Sequence, residues 1–128
     1  MSATILIVED NPINRKLMID LLEFHNYQVI EAEDGIRGIE LAREQRPDLI
    51  IMDMQMPVMD GFEAISILKT VPETRHIKIM AITSFAMKGD KEKIIRLGAD
   101  YYMPKPINTR EFPEAVRNLL QDKGSRGA

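Results

Sequence analysis

Three apolar runs in this chain each stop at a residue with a chemically useful polar group. Ile5-Leu6-Ile7-Val8 leads into Glu9-Asp10, Leu49-Ile50-Ile51-Met52 leads into Asp53, and Ile77 to Ile82 leads into Thr83-Ser84. Short runs rich in Ile and Val, bounded by turn residues, read as strands buried on both faces. Such strands build parallel sheets covered by helices on either side. In an open parallel sheet the carboxyl ends of the strands share one rim, where ligands bind. Glu9, Asp10 and Asp53 are therefore expected to meet in space.

The segments between the runs support that reading. Thr4 to Glu9 is the first predicted strand, and Asn11-Pro12 opens a helix, with Asn11 as cap and proline at the first helical position. Ile13, Leu17, Leu21 and Phe24 follow at helical spacing and predict its buried stripe. A second strand covers Tyr27 to Ala32. A helix entered through Asp34-Gly35 carries Ile36, Ile39 and Leu41-Ala42 and stops at Arg46-Pro47. Asp48 to Asp53 is the third strand. A loop with Pro57 and Asp60-Gly61 leads to a helix with Phe62, Ile65 and Leu68, and Ile77 to Ile82 is the fourth strand. Asp90 is the expected cap of a helix over Lys91 to Leu97, with Gly98 as its left-handed stop. Asp100 to Met103 is a short fifth strand, and Thr109 is the expected cap of a last helix with Phe112, Val116, Leu119 and Leu120 inward. Strands alternating with helices predict an α/β fold with a parallel sheet. Residues 1–121 are read as one domain and 122–128 as a short polar tail.

Composition excludes several function classes. The 128 residues contain no cysteine, which removes disulfides, thiolate nucleophiles and cysteine metal ligands. The formal net charge of −3 is not the clustered basic footprint of a nucleic-acid binder. No apolar run approaches the roughly 18 residues of a spanning helix. Met1-Ser2-Ala3-Thr4 runs straight into the first strand, so no signal peptide and a cytoplasmic location are expected.

Three carboxylates on one rim are an electrostatic problem. Two unit charges about 4 Å apart repel by roughly 4 kcal/mol at an effective dielectric near 20. They raise each other's pKa or recruit a cation. His25 and His76 fall at element ends away from this rim, so the available ligands are oxygens. That donor set suits Mg²⁺ or Mn²⁺ and disfavours zinc. Two further groups belong to the same rim: the Thr83 hydroxyl, and Lys105 between Pro104 and Pro106. A cation, Lys105 and Thr83 together could hold the three equatorial oxygens of a phosphoryl group, with Asp53 as nucleophile.

In that order and spacing, Glu9-Asp10, Asp53 within DLIIMDMQMPVMDG, Thr83 and Lys105-Pro106 resemble a bacterial response-regulator receiver domain over about residues 3 to 121. The resemblance is to stand-alone receivers of the cell-cycle and chemotaxis type. It implies a flavodoxin-like (βα)5 fold with strand order 2-1-3-4-5. It implies that Asp53 accepts a phosphoryl group from a histidine kinase or histidine phosphotransfer protein. Mg²⁺ would be held by Asp10, Asp53 and the Gln55 backbone carbonyl, with Glu9 acting through a water on the metal. Thr83 and Tyr102 would be switch residues, and the signal would pass to a separate effector protein, with no direct nucleic-acid contact and no membrane insertion. Gln55 and Phe85 stand two residues after Asp53 and Thr83, where receivers tune water access to the phosphoryl group; Phe85 is expected to shield it. Pro104 departs from the family's usual non-proline before the lysine.

Each residue taken alone has a plainer reading. Glu9-Asp10-Asn11 also suits a bare helix entry, Asp53 a loop carboxylate, Thr83-Ser84 a turn, Lys105 a solvated lysine and Tyr102 sheet packing. Met52, Met54, Met56 and Met59 read as soft packing rather than a thioether metal site, which would favour copper. The alternatives are a receiver cut from a hybrid histidine kinase, a dehalogenase-type phosphohydrolase, a flavin carrier and a binding module that needs no phosphorylation. The phosphohydrolase needs a second acid where Gln55 stands, and a flavin phosphate would be repelled by Glu9-Asp10. The expected activity is that of a switch, which catalyses only its own phosphorylation and dephosphorylation.

Overall fold

A computed structural model describes residues 3–84 and 89–121. The chain alternates strictly: β1 (Thr4–Val8), α1 (Pro12–Phe24), β2 (Gln28–Ala32), α2 (Gly35–Gln45), β3 (Leu49–Asp53), α3 (Gly61–Thr70), β4 (Lys78–Thr83), α4 (Asp90–Leu97), β5 (Tyr101–Pro104) and α5 (Glu111–Gln121). All strands are parallel, in the order β2-β1-β3-β4-β5. The chain thus reverses winding between β1 and β3, and a crevice opens beyond their carboxyl ends.

The period-two alternation of the central strands divides the core. Leu6, Val8, Ile50, Met52, Ile79 and Ala81 face one side, with Leu41 and Ala42 of α2, Ala64, Ile65 and Leu68 of α3 and Ile94 of α4. Ile5, Ile7, Leu49, Ile51, Met80 and Ile82 face the other, with Met18 and Leu22 of α1 and Phe112, Val116 and Leu119 of α5. Burial on both faces is why β1, β3 and β4 are continuous apolar runs. Lys78 enters β4 from below and its Nζ donates to the Leu119 carbonyl at 3.0 Å, tying α5 to the sheet.

Several local expectations are corrected. On α1, Ile13 and Phe24 are 79% and 81% exposed and Leu17 is also exposed; the buried residues are Met18 and Leu22. Arg15, one turn before Met18, sets this rotation: its Nη1 donates to the Glu9 carbonyl at 2.8 Å and its Nε to Glu31 at 3.0 Å. On α2, Ile36 faces solvent, and Gly35, Gly38, Leu41 and Ala42 take the buried face. Asn108, not Thr109, caps α5, its Oδ1 accepting from the Arg110 and Glu111 amides at 2.9 and 2.8 Å. Asp90 is the first residue of α4 and Gly89 its cap position, without a side-chain capping bond. On α5, Ala115 is buried and Leu120 only partly so. Thr83 closes β4, as expected, and the strand begins at Lys78 rather than Ile77.

Candidate functional site

Each functional side chain reaches the rim through backbone pairing. The Glu9 amide donates to the Ala32 carbonyl at 3.1 Å, extending the β1–β2 ladder one residue beyond the strand. This holds the Glu9 side chain fully buried. Asp10, next in the chain, is exposed. The Asn11 side chain then accepts from the Ile13 and Asn14 amides at 2.9 and 3.0 Å and starts α1. Asp53 closes β3 opposite Ile82 and is only 2% exposed. Its Oδ1 accepts from the Gln55 amide at 3.1 Å. Gly61 lets α3 begin close beside it, because a Cβ there would stand 2.6 Å from the Met54 Cα and 2.8 Å from the Asp53 carbonyl oxygen.

Lys105 lies above both buried acids. Its Nζ is 3.1 Å from Asp53 Oδ1 and 3.8 Å from Glu9 Oε1. The Lys105–Pro106 peptide bond is cis. Pro104 pairs opposite Thr83, and the Lys105 amide donates to the Thr83 carbonyl at 2.8 Å. The β4–β5 ladder therefore continues past Pro104 although a proline donates nothing itself. Thr83 is fully buried at the end of β4. Tyr102 is half-buried and packs against the core on the α2–α3–α4 side.

Ligand oxygens of Glu9, Asp10 and Asp53 all lie within 4.8 Å of one another. Burial pushes Glu9 up to about 8, helped by the adjacent Asp53 carboxylate, while the Asn11 amide and Lys105 pull it back. Two buried carboxylate oxygens, Glu9 Oε1 and Asp53 Oδ2, accept no hydrogen bond among the described residues. A buried bare carboxylate oxygen is costly. A hard cation with an oxygen preference satisfies both atoms, and the exposed Asp10 leaves room for its waters. The donor set therefore fits a Mg²⁺-like ion.

The structure brings Glu9, Asp10 and Asp53 together, as the strand-end argument required, with Lys105 above them, the Gln55 amide on Asp53 and the Thr83 carbonyl on the Lys105 amide. Met52, Met54 and Met56 are buried and Met59 is packed against them, in the same core cluster, so their role is packing. His25 is the C-cap residue of α1, its ring edge-on to Phe24 at 5.2 Å, and His76 is exposed before β4. Phe85 and the tail 122–128 lie outside the described residues. Two contacts were invisible to motif reasoning. One is Arg15 on the Glu9 carbonyl. The other is the Gln55 side chain, whose Oε1 accepts from the Ser84 amide at 2.7 Å. Neither belongs to a spacing pattern: the first crosses the turn from β1 into α1, and the second joins segments 29 residues apart.

Comparison with known proteins places this arrangement in a class. Residues 5–117 match the response regulator receiver domain, and the chain belongs to that family. It is 45% identical over 122 residues to the polar-differentiation response regulator DivK of Brucella anthropi, covering 95% of this chain and 99% of that protein. Among solved structures, it resembles the receiver domain of the sensor histidine kinase PA1611 from Pseudomonas aeruginosa, which has a magnesium ion coordinated in its active-site cleft; the TM-score is 0.86 at 32% identity, covering 94% of this chain and 99% of that one. Vibrio cholerae chemotaxis protein CheY4 aligns with a TM-score of 0.87 at 27% identity, over 93% of this chain and 99% of that one. The protein is a receiver domain of two-component signalling. No helix among the described residues is long and apolar enough to cross a membrane.

Proposed function

We propose that Asp53 is the phosphoacceptor of a phosphorylation switch, fed by the phosphohistidine of a sensor kinase or phosphotransfer protein. The observation that carries this reading is the pair of bare, buried carboxylate oxygens, Glu9 Oε1 and Asp53 Oδ2, beneath the Lys105 ammonium. An Asp53 oxygen attacks phosphorus, a P–O bond forms as the donor's P–N bond breaks, and the product is an acyl phosphate. Asp10, Asp53 and the Gln55 backbone carbonyl would hold Mg²⁺ or Mn²⁺, with Glu9 at one remove. The ion supplies positive charge against the phosphoryl oxygens and the acidic rim.

The chain's own groups do the rest. Lys105 neutralises Asp53 before transfer and the added charge of about −2 afterwards. The Thr83 hydroxyl turns toward the phosphoryl group, and Tyr102 shifts inward as the β4–β5 end rearranges. The face formed by α4, β5 and α5 then changes its affinity for a separate effector protein, in the cytoplasm. Gln55 and Phe85 govern water access and hence phosphoryl lifetime. A phosphohydrolase is disfavoured, because Gln55 cannot give up a proton as a general acid and its carboxamide oxygen is already engaged by Ser84. The likeness to a receiver from a sensor kinase supports the same site chemistry within a hybrid kinase.

Intact mass after incubation with acetyl phosphate tests the assignment. One phosphoryl adduct is expected on the wild type with Mg²⁺, and none without metal or in Asp53→Asn. An adduct that persists in Asp53→Asn, or that forms equally without metal, overturns it.

A further inference from the structure

Gln55 touches both halves of the site at once. Its backbone N–H donates to Asp53 Oδ1 at 3.1 Å, and its side-chain Oε1 accepts from the Ser84 N–H at 2.7 Å. Ser84 follows Thr83 at the end of β4. The β3–β4 register sets Asp53 opposite Ile82, and the Met54 amide donates to the Ile82 carbonyl at 2.9 Å. The Ser84 amide is thus a backbone donor two residues past the register partner of Asp53, joined to the acceptor carboxylate through Gln55. Fixed amide donors of this kind stabilise phosphoryl oxygens, yet here the donor is engaged by a neutral side chain.

Resting on the reading of Asp53 as phosphoacceptor, we propose that the Gln55 carboxamide is a latch that occupies the Ser84 amide and holds Ser84, at the end of β4, in its unphosphorylated position. A phosphoryl group on Asp53 brings a doubly charged acceptor to the same place. Charge-assisted hydrogen bonds are roughly twice as strong as neutral ones, so the phosphoryl oxygen displaces Gln55 Oε1 from Ser84. The carboxamide is released while Thr83, one residue earlier, is drawn to the same group. Gln55 therefore sets how readily the switch turns on as well as how much water reaches the phosphoryl group.

The test separates a hydrogen-bonded latch from simple bulk. Gln55→Met keeps length and volume but has no carboxamide acceptor, and Gln55→Ala removes both. Beryllofluoride with Mg²⁺ serves as the phosphoryl probe on the full chain, with binding read by calorimetry and the Ser84 amide followed by NMR. Losing one neutral hydrogen bond from the resting state is expected to tighten beryllofluoride binding about two- to twelvefold in both variants. Without beryllofluoride, the Ser84 amide proton is expected to shift upfield and exchange faster in both. With beryllofluoride, Ser84 is expected to give the same resonance position in all three proteins. Unchanged or weaker binding in Gln55→Met, or a Ser84 amide indifferent to that substitution, overturns the latch. Absence of beryllofluoride binding to the wild type overturns the phosphoacceptor reading instead.

Discussion

At the residue scale, the site is organised around an acid that cannot comfortably ionise. Glu9 has lost its water, and the Asp53 carboxylate beside it raises its pKa to about 8. The folded metal-free protein therefore keeps a proton at Glu9 where the unfolded chain has released it above the ordinary glutamate value of 4.5. Between those values the native state binds more protons than the unfolded state, so metal-free stability falls as pH rises. The slope from this group is at most about 1.4 kcal/mol per pH unit. Urea unfolding in chelator from pH 5 to 8 is expected to show the decline, and Glu9→Gln to flatten it. Near neutral pH, Mg²⁺ binding is expected to release up to one proton per site, visible as a dependence of the binding enthalpy on buffer ionisation. A pH-independent unfolding midpoint in the wild type would count against this account of Glu9.

At the element scale, legibility depended on whether an element is fixed by its own pattern or by a distant contact. The strands β1, β3 and β4 were readable because both of their faces are buried, and the rim residues Glu9, Asp53 and Thr83 came with them. Helix α1 was readable as a helix but not in rotation, because apolar residues occur around more than one face. Its orientation is settled by Arg15 reaching the Glu9 carbonyl and Glu31 across the fold. Arg15→Ala is expected to cost about 1.5–3 kcal/mol in urea unfolding, the range for hydrogen bonds to charged groups. A loss below half a kcal/mol would show that packing alone holds α1. The choice of Asn108 over the adjacent Thr109 as cap was equally hidden, since both side chains can cap and only the loop path decides.

The rotation of α1 leads to a test of docking. Ile13, Leu17 and Phe24 form an exposed apolar line that starts two residues after Asn11 at the acidic rim. Contiguous exposed apolar surface is what a docking partner covers. The paired substitution Ile13→Ser with Phe24→Ser is expected to slow phosphoryl transfer from a phosphohistidine protein several-fold. Acetyl phosphate, too small to use the line, is expected to label both proteins equally. Equal slowing with both donors would place the defect in the site rather than in docking.

At the scale of the whole molecule, the proposed switch would pass from Asp53 to the far face through the sheet. Asp53 lies on the central strand, Thr83 on the next, and Tyr102 on the edge strand, paired through Ala81 two residues before Thr83. Thr83 and Lys105 link the two: the Thr83 carbonyl accepts from the Lys105 amide at 2.8 Å, Lys105 Nζ stands 3.1 Å from Asp53 Oδ1, and the Thr83 hydroxyl is the switch proposed above. Couplings of this kind are typically about 1–3 kcal/mol, enough to shift populations without refolding. Thr83→Ala keeps the β4 backbone and the Lys105 bond but removes the hydroxyl. It is expected to accept phosphate from acetyl phosphate at near wild-type extent while failing to transmit the change. In the wild type, phosphorylation should move amide resonances around Asp53 and also those of Tyr101 to Met103 and α4. In Thr83→Ala the shifts should stay within the first group. Full propagation to β5 in Thr83→Ala would mean that Lys105 alone carries the signal, by dragging the backbone to which its own amide is bound.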